Sequence, residues 1–294
     1  MAGKPVVVSV IQGANVLLQV LADFGEGDLA YAEVIQRIKT VLPEAVPNPV
    51  YVPPLNTLAC GFCIGQLSLG AAAAPSVFIF ANVAPRRDDL GPRAHGAGEP
   101  LVHAELPTGA QVVAVNSGYS LSFIKRAARA LRSVTGPAEG SPFRSRDIFP
   151  EALARVVRGE PGALGGEIDR DKIPDPPRGV VAYVDGFGNI KTSWRSTEIG
   201  DAPGASLHIR IGATSHVAVL TAEQHFEVGE GQLAFTPGSS GWTEEGRDFR
   251  FLEVFLRGGS AWDLFGRPAP GTPVEMSDSA GASPRGRPDV RLIR

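Results

Sequence analysis

Apolar and polar positions alternate in two textures along the chain. In the first half, short apolar runs are separated by segments with helical spacing. "NVLLQVLADFG" (15–25) reads as a buried strand ending in a loop. "LAYAEVIQRIKTVLP" (29–43) carries apolar residues at helical intervals and stops at Pro43. "NPVYVPP" (48–54) is short and extended, "TLACGFCIGQLSLG" (57–70) reads as a helix, and "SVFIFANV" (76–83) is a continuous apolar strand. "AQVVAVN" (110–116) is another strand, followed by the turn "SGYS", and "SFIKRAARALRSV" (122–134) and "FPEALARVVRG" (149–159) read as helices. This alternation predicts an α/β N-terminal domain, an open sheet with flanking helices.

Beyond a proline-rich break (169–179), the pattern changes to short β runs: "GVVAYVDGF", "SLHIRIG", "HVAVLTA", "QLAFTPG" and "FRFLEVFLRGG". These predict a smaller all-β C-terminal domain. The boundaries are 1–172 for the α/β domain, 173–179 for the linker and 180–276 for the β domain. The tail 277–294 is nearly devoid of apolar residues until its last few and is expected to be disordered.

Composition narrows the class. The chain has 294 residues, enough for two domains, with 43% hydrophobic and 20% charged residues. A net charge of −3 argues against nucleic-acid and membrane-surface partners. No signal-peptide pattern or long apolar run occurs, so a cytoplasmic protein is expected.

Candidate chemistry gathers at strand ends, where open α/β sheets bind their ligands. Asp23, Asn82 and Asn116 each follow or close an apolar run. The turn "DGFGN" (185–189) offers a carboxylate, an aromatic ring and an amide, groups that hold a planar polar ligand. Arg86, Arg87, Arg93 and Arg144, with His95, His103, Glu99 and Glu105, form either a solvated mixed-charge set or a site for a carboxylate-bearing substrate. In the second case Glu or His would move protons. Cys60 and Cys63 are spaced C-x-x-C, but no second ligand pair accompanies them, and two buried thiols on a helix are the expectation. His208, His216 and His225 lack paired spacing and are expected to be structural or surface residues; no metal and no bound cofactor is expected.

Several of these segments, in order, resemble the family of S-adenosylmethionine-cleaving enzymes that contains the hydroxide adenosyltransferases, the fluorinase and the chlorinase. "ADFGEGD" (22–28) resembles that family's T-D-F-G-x-x-D except at Ala22. "VPPLN" (52–56), "VNSG" (115–118), "FRSRDIF" (143–149), "DGFGNIKTS" (185–193), "SSGW" (239–242) and "GGSA" (258–261) follow collinearly. The resemblance spans residues 15–276. It implies that Asp23 faces ribose hydroxyls, that Phe187 stacks, and that Asn189 and Ser240, in a turn begun by Asp185, bond polar edges of an adenosyl ligand. It also implies a homo-oligomer, with a trimer as the family assembly and a dimer as the alternative, and sites near subunit interfaces.

The water-activating set of the hydroxide enzymes is incomplete. Asn82 or Val83 stands at the position of their Asp, Arg86 or Arg87 retains the arginine, and Arg144 replaces the His. Ser145 stands where the halogenases have a serine. "PNPVY" replaces the segment that precedes V-P-P in the family. Three functions are therefore in competition. The first is nucleophilic substitution at C5′ of S-adenosylmethionine, as substrate. The second is a repurposed biosynthetic enzyme, such as a Pictet–Spengler-type condensation of an aromatic amino acid with an aldehyde, using Arg86, Arg87, Glu99, His103 and Glu105. The third is nucleoside binding without turnover.

Overall fold

The computed structural model describes residues 15–25, 27–84, 98–136, 141–200, 203–222, 227–244 and 246–278. The first apolar run is strand β1 (Val16–Ala22), buried on both faces over its second half. Helix α1 (Leu29–Val41) begins where Asp28 accepts the Ala30 N–H at 2.8 Å, and it ends ahead of Pro43. Strand β2 (Ala45–Tyr51), helix α2 (Thr57–Leu69) and strand β3 (Val77–Asn82) follow. Asn56 caps α2 by accepting the Ala59 N–H at 2.8 Å. Then come β4 (Leu101–Glu105), β5 (Gln111–Val115), β6 (Ala130–Val134), the four-residue helix α3 (Arg144–Asp147), α4 (Phe149–Val157) and β7 (Leu164–Glu167).

The chain divides into two compact units, Met1–Pro174 and Asp175–Arg294. In the first, seven strands run in the order β2-β1-β3-β5-β4-β6-β7. β2, β1, β3 and β5 are parallel, whereas β4, β6 and β7 join antiparallel. One face packs Leu18, Val20, Phe80 and Val113 against α1 and α4. The alternating residues Leu21, Ile79, Val112 and Ala114 are buried on the other face, with α2 against β3 and β5.

The helix expected over 122–134 does not form. Residues 121–128 make successive turns, with Lys125 N–H bonding Leu121 O at 3.0 Å and Ala128 N–H bonding Ile124 O at 2.9 Å. The chain then extends as β6 alongside β4. The Ala- and Arg-rich composition favours a helix, but the ladder with β4 satisfies this backbone and overrides that preference. Strands β4 and β7 have no counterpart among the expected elements.

The second unit holds β8 (Val181–Val184), β9 (Ile190–Arg195), β10 (Ser206–Ile211), β11 (Thr214–Leu220), β12 (Leu233–Glu244), β13 (Arg247–Leu256), a helical turn α5 (Ala261–Leu264) and β14 (Val274–Asp278). The order is β14-β10-β11-β12-β13-β9-β8. Its two ends meet. Val180 bridges Pro273, Val181 N–H bonds Thr272 O at 2.8 Å, and Val274 N–H bonds Gly179 O at 2.7 Å. The sheet is nearly a closed barrel around Ile190, Phe235, Leu252 and Val254. Because α5 and a 3₁₀ turn at Ser196–Glu198 belong to it, this unit is β-dominated rather than all-β. Of the tail expected to be disordered, Ser277 and Asp278 belong to β14. Residues 279–294 lie outside the described residues.

No helix among the described residues is long and apolar enough to cross a membrane. Phe80 is fully buried between β1 and β5. Phe80→Ala is expected to lower unfolding stability by about 3–5 kcal/mol in urea denaturation, through lost transfer energy and a cavity.

Candidate functional site

Parallel pairing of β1, β3 and β5 sets the candidate site of the first unit. Ala22 lies opposite Asn82, and Ala81 lies opposite Ala114. Asp23, Asn82 and Asn116 therefore stand side by side at one sheet edge, at the carboxyl ends of three adjacent strands. The Leu55 N–H donates to Asp23 Oδ2 at 2.8 Å. This bond holds Leu55 at φ 60°, a left-handed conformation that costs a leucine free energy. The turn after β5 is latched to its neighbours. Asn116 N–H bonds Pro100 O at 2.9 Å, the Ser117 hydroxyl donates to Val83 O at 2.9 Å, and Tyr119 N–H donates to the Thr57 hydroxyl at 3.1 Å. Gly61 of α2 lies so close to Tyr119 that a Cβ there would collide with its carbonyl.

Asn82 is 7% exposed, and its amide nitrogen has no hydrogen-bond partner among the described residues. A buried N–H group left unbonded costs free energy that a ligand acceptor would recover. Arg144 approaches the same edge. Its Nη1 donates to Glu99 O at 3.2 Å, and its guanidinium lies over the Phe149 ring at 4.9 Å. Ser145 is half-buried on the same short helix.

Glu105 and His103 do not join this group. β4 runs antiparallel to β5, so Glu105 pairs with Gln111 at the far end of β5, four residues or about 13 Å from Val115. Glu105 lies 3.7 Å from Arg129. His103 is buried, with Nε2 2.5 Å from Gln111 Oε1. The amide oxygen is an acceptor, so Nε2 carries the hydrogen, and Nδ1 is buried with no partner among the described residues. Burial, partly offset by Gln111 and Glu105, holds the ring below its ordinary value of 6.5. Arg86 and Arg87, with Arg93 and His95, lie outside the described residues.

The second unit carries its own candidate group, the β8–β9 turn. Asp185 Oδ1 accepts the Phe187 and Asn189 N–H groups at 3.0 and 3.1 Å, and Oδ2 accepts the Asn189 side-chain amide at 3.0 Å. Gly188 adopts φ 80°, and its carbonyl accepts the Trp262 N–H at 2.8 Å. Asn189 thus commits one of its two amide hydrogens to Asp185 and keeps the other, with its amide oxygen, for a ligand. Phe187 is 84% exposed at the tip. Beneath it, Lys191 Nζ is 2.8 Å from Glu253 and 3.8 Å from Asp185. Gly238 packs against Glu253 at the bulge between Pro237 and Gly241, which carries Ser240, itself buried.

Lys191 and Glu253 were missed in the sequence. Their signal was a lone charge inside each of two apolar strands, "NIKTSW" and "FLEVFL". Cys60 and Cys63 are free and fully buried; burial pushes Cys63 up to about 12 and Cys60 higher, the second thiol adding to the latter. Neither is poised for redox chemistry. No group of three metal-ligating side chains occurs among the described residues. His216 packs edge-on against Phe265, a structural role; His225 is outside the described residues.

No protein-family model matches the sequence, and no curated protein does. Solved structures do match. An uncharacterised conserved protein from Thermotoga maritima superposes with a TM-score of 0.69 at 19% identity, covering 88% of this chain and 100% of that one. A conserved hypothetical protein from Thermus thermophilus gives a TM-score of 0.58 at 21% identity, covering 90% and 100%. At these identities the likeness extends to the fold.

Two outcomes follow. The unfolded chain protonates its histidine as pH falls through about 6.5, while folded His103 stays neutral to lower pH. Its contribution to stability is therefore complete above that value and is lost below it, at up to about 1.4 kcal/mol per pH unit. Thermal melts from pH 7.5 to 5 should fall more steeply for the native protein than for His103→Gln; equal slopes would contradict a buried neutral ring. Lys191→Met leaves Glu253 buried without its cation and should cost about 3–5 kcal/mol in denaturant unfolding, with the Lys191→Met/Glu253→Leu pair regaining most of it.

Proposed function

We propose that the chain is a small-molecule enzyme that binds S-adenosylmethionine and directs nucleophilic substitution at its C5′ carbon. The observation that carries this reading is the single sheet edge formed by Asp23, Asn82 and Asn116, with a buried, unbonded amide nitrogen at Asn82. Asp23 retains one carboxylate oxygen for vicinal hydroxyls after holding Leu55. The sequence resemblance adds a stacking role for Phe187, whose ring is exposed on the second unit. In the reaction the nucleophile bonds to C5′ as the C5′–S bond breaks, and the electron pair passes to sulfur to give methionine. An amide at position 82 donates hydrogen bonds but takes up no proton. This favours a nucleophile that arrives as an anion over water that must be deprotonated. The homo-oligomer implied by the sequence resemblance belongs to the same proposal.

The condensation of an amino acid with an aldehyde remains a second reading, favoured by the Arg144 guanidinium near the edge. It loses support from the placement of Glu105 and His103 at the other end of the sheet, which leaves Glu99 as its proton-carrying carboxylate.

Calorimetric titration with S-adenosylmethionine, followed by chromatography with and without added halide, tests the proposal. Binding with release of methionine and a 5′-substituted adenosine is expected, and Phe187→Ala should weaken binding about tenfold. Binding without products would replace the enzyme by a nucleoside-binding protein. Absence of binding would overturn the reading, and product from an aromatic amino acid and an aldehyde would establish the second.

A further inference from the structure

The barrel of the second unit has an open end. There, a cavity of about 460 Å³ is walled by Ile199, Leu220, Pro237 and Leu252. Leu220 and Leu252 belong to the barrel core. Asp248 and Arg250 precede Leu252 at two-residue intervals on β13, so they continue the inward face of that strand out to the rim. This mouth lies at the end of β9, marked by Ser196, whereas the Phe187 turn lies at its start. Six residues of β9, about 20 Å, separate the two.

Three groups in this cavity have unmet bonding capacity. Thr221 is 3% exposed, stands in the cavity wall, and its hydroxyl has no hydrogen-bond partner among the described residues. The Arg250 backbone N–H is spent on the Ser196 hydroxyl at 3.2 Å, but its guanidinium has no partner among the described residues. Asp248 accepts from the Thr243 hydroxyl and faces no cation among them. A cation and an anion with no charge partner among the described residues thus flank a chamber of mixed polar and apolar lining, within the size range of small-ligand sites.

We propose that this barrel mouth binds a free α-amino acid with a large apolar side chain. Arg250 and the Thr221 hydroxyl receive the carboxylate, and Asp248 receives the ammonium group. The side chain enters the chamber between Leu220 and Leu252. A purely cationic or anionic ligand would leave one rim charge opposed by a like charge, and a neutral apolar one would leave both unpaired. The site is separate from the sheet edge of the first unit and does not depend on the reading of that edge.

Calorimetric titration of the full chain with L-phenylalanine and L-tryptophan tests this. Saturable binding at millimolar concentration or below is expected, with little or none for N-acetyl-L-phenylalanine and L-phenylalaninamide, which each lack one charge. Arg250→Gln and Asp248→Asn should each weaken binding by about tenfold or more, as expected for loss of a charge-assisted bond. Both positions are exposed, and thermal melts verify that the variants fold. Asn82→Ala should leave this binding unchanged. The proposal is overturned if neither amino acid binds, if both rim variants bind as the native protein does, or if Asn82→Ala abolishes binding and so moves the amino acid to the sheet edge.

Discussion

The site rests on the parallel register of β1, β3 and β5. Parallel strands need crossover connections; α1, β2 and α2 lie between β1 and β3, and the segment that contains β4 joins β3 to β5. Once Ala22 lies opposite Asn82 and Ala81 opposite Ala114, the loops that leave these strands have no choice of side. A slip of one residue would exchange the buried faces of Phe80 and Ile79 and place Asn82 on the wrong side of the sheet. The apolar cores on both faces therefore also set the positions of three polar groups.

The polar groups of the two units are used unequally. Asp23 acts partly on the protein itself, holding Leu55 in a left-handed conformation. Asp185 is spent almost wholly on its own turn, and Lys191 and Glu253 brace that turn from below. Asn82 is left with an unbonded buried nitrogen. Within each unit, groups that shape the backbone are committed before any ligand arrives, which fixes the local geometry in advance.

Much of the fold was legible in the sequence because its strongest signals are local. The apolar run 76–83 and the helical spacing of 29–43 correspond to β3 and α1. The segment 122–134 misled because its propensity is helical while its partner, β4, lies in a stretch dominated by charge and proline signals. At the site, Asp23, Asn82 and Asn116 were legible from strand ends alone. Whether Glu105 and His103 joined them depended on the direction of β4, and one antiparallel strand carried both to the other end. The role of Lys191 and Glu253 was hidden because a pair separated by 62 residues leaves no spacing to read.

The seam of the second unit has a consequence for how the chain acquires its structure. Val180 and Pro273 lie at opposite ends of that unit's sequence, yet they close its sheet. Until β14 has left the ribosome, β8 and β10 are both free edges, so the unit cannot complete its hydrogen-bonded ring during most of its own synthesis. The first unit has no such dependence on the last residues to emerge. Synthesis in the N-to-C direction therefore gives the sheet that carries Asp23, Asn82 and Asn116 time to form before its companion can close.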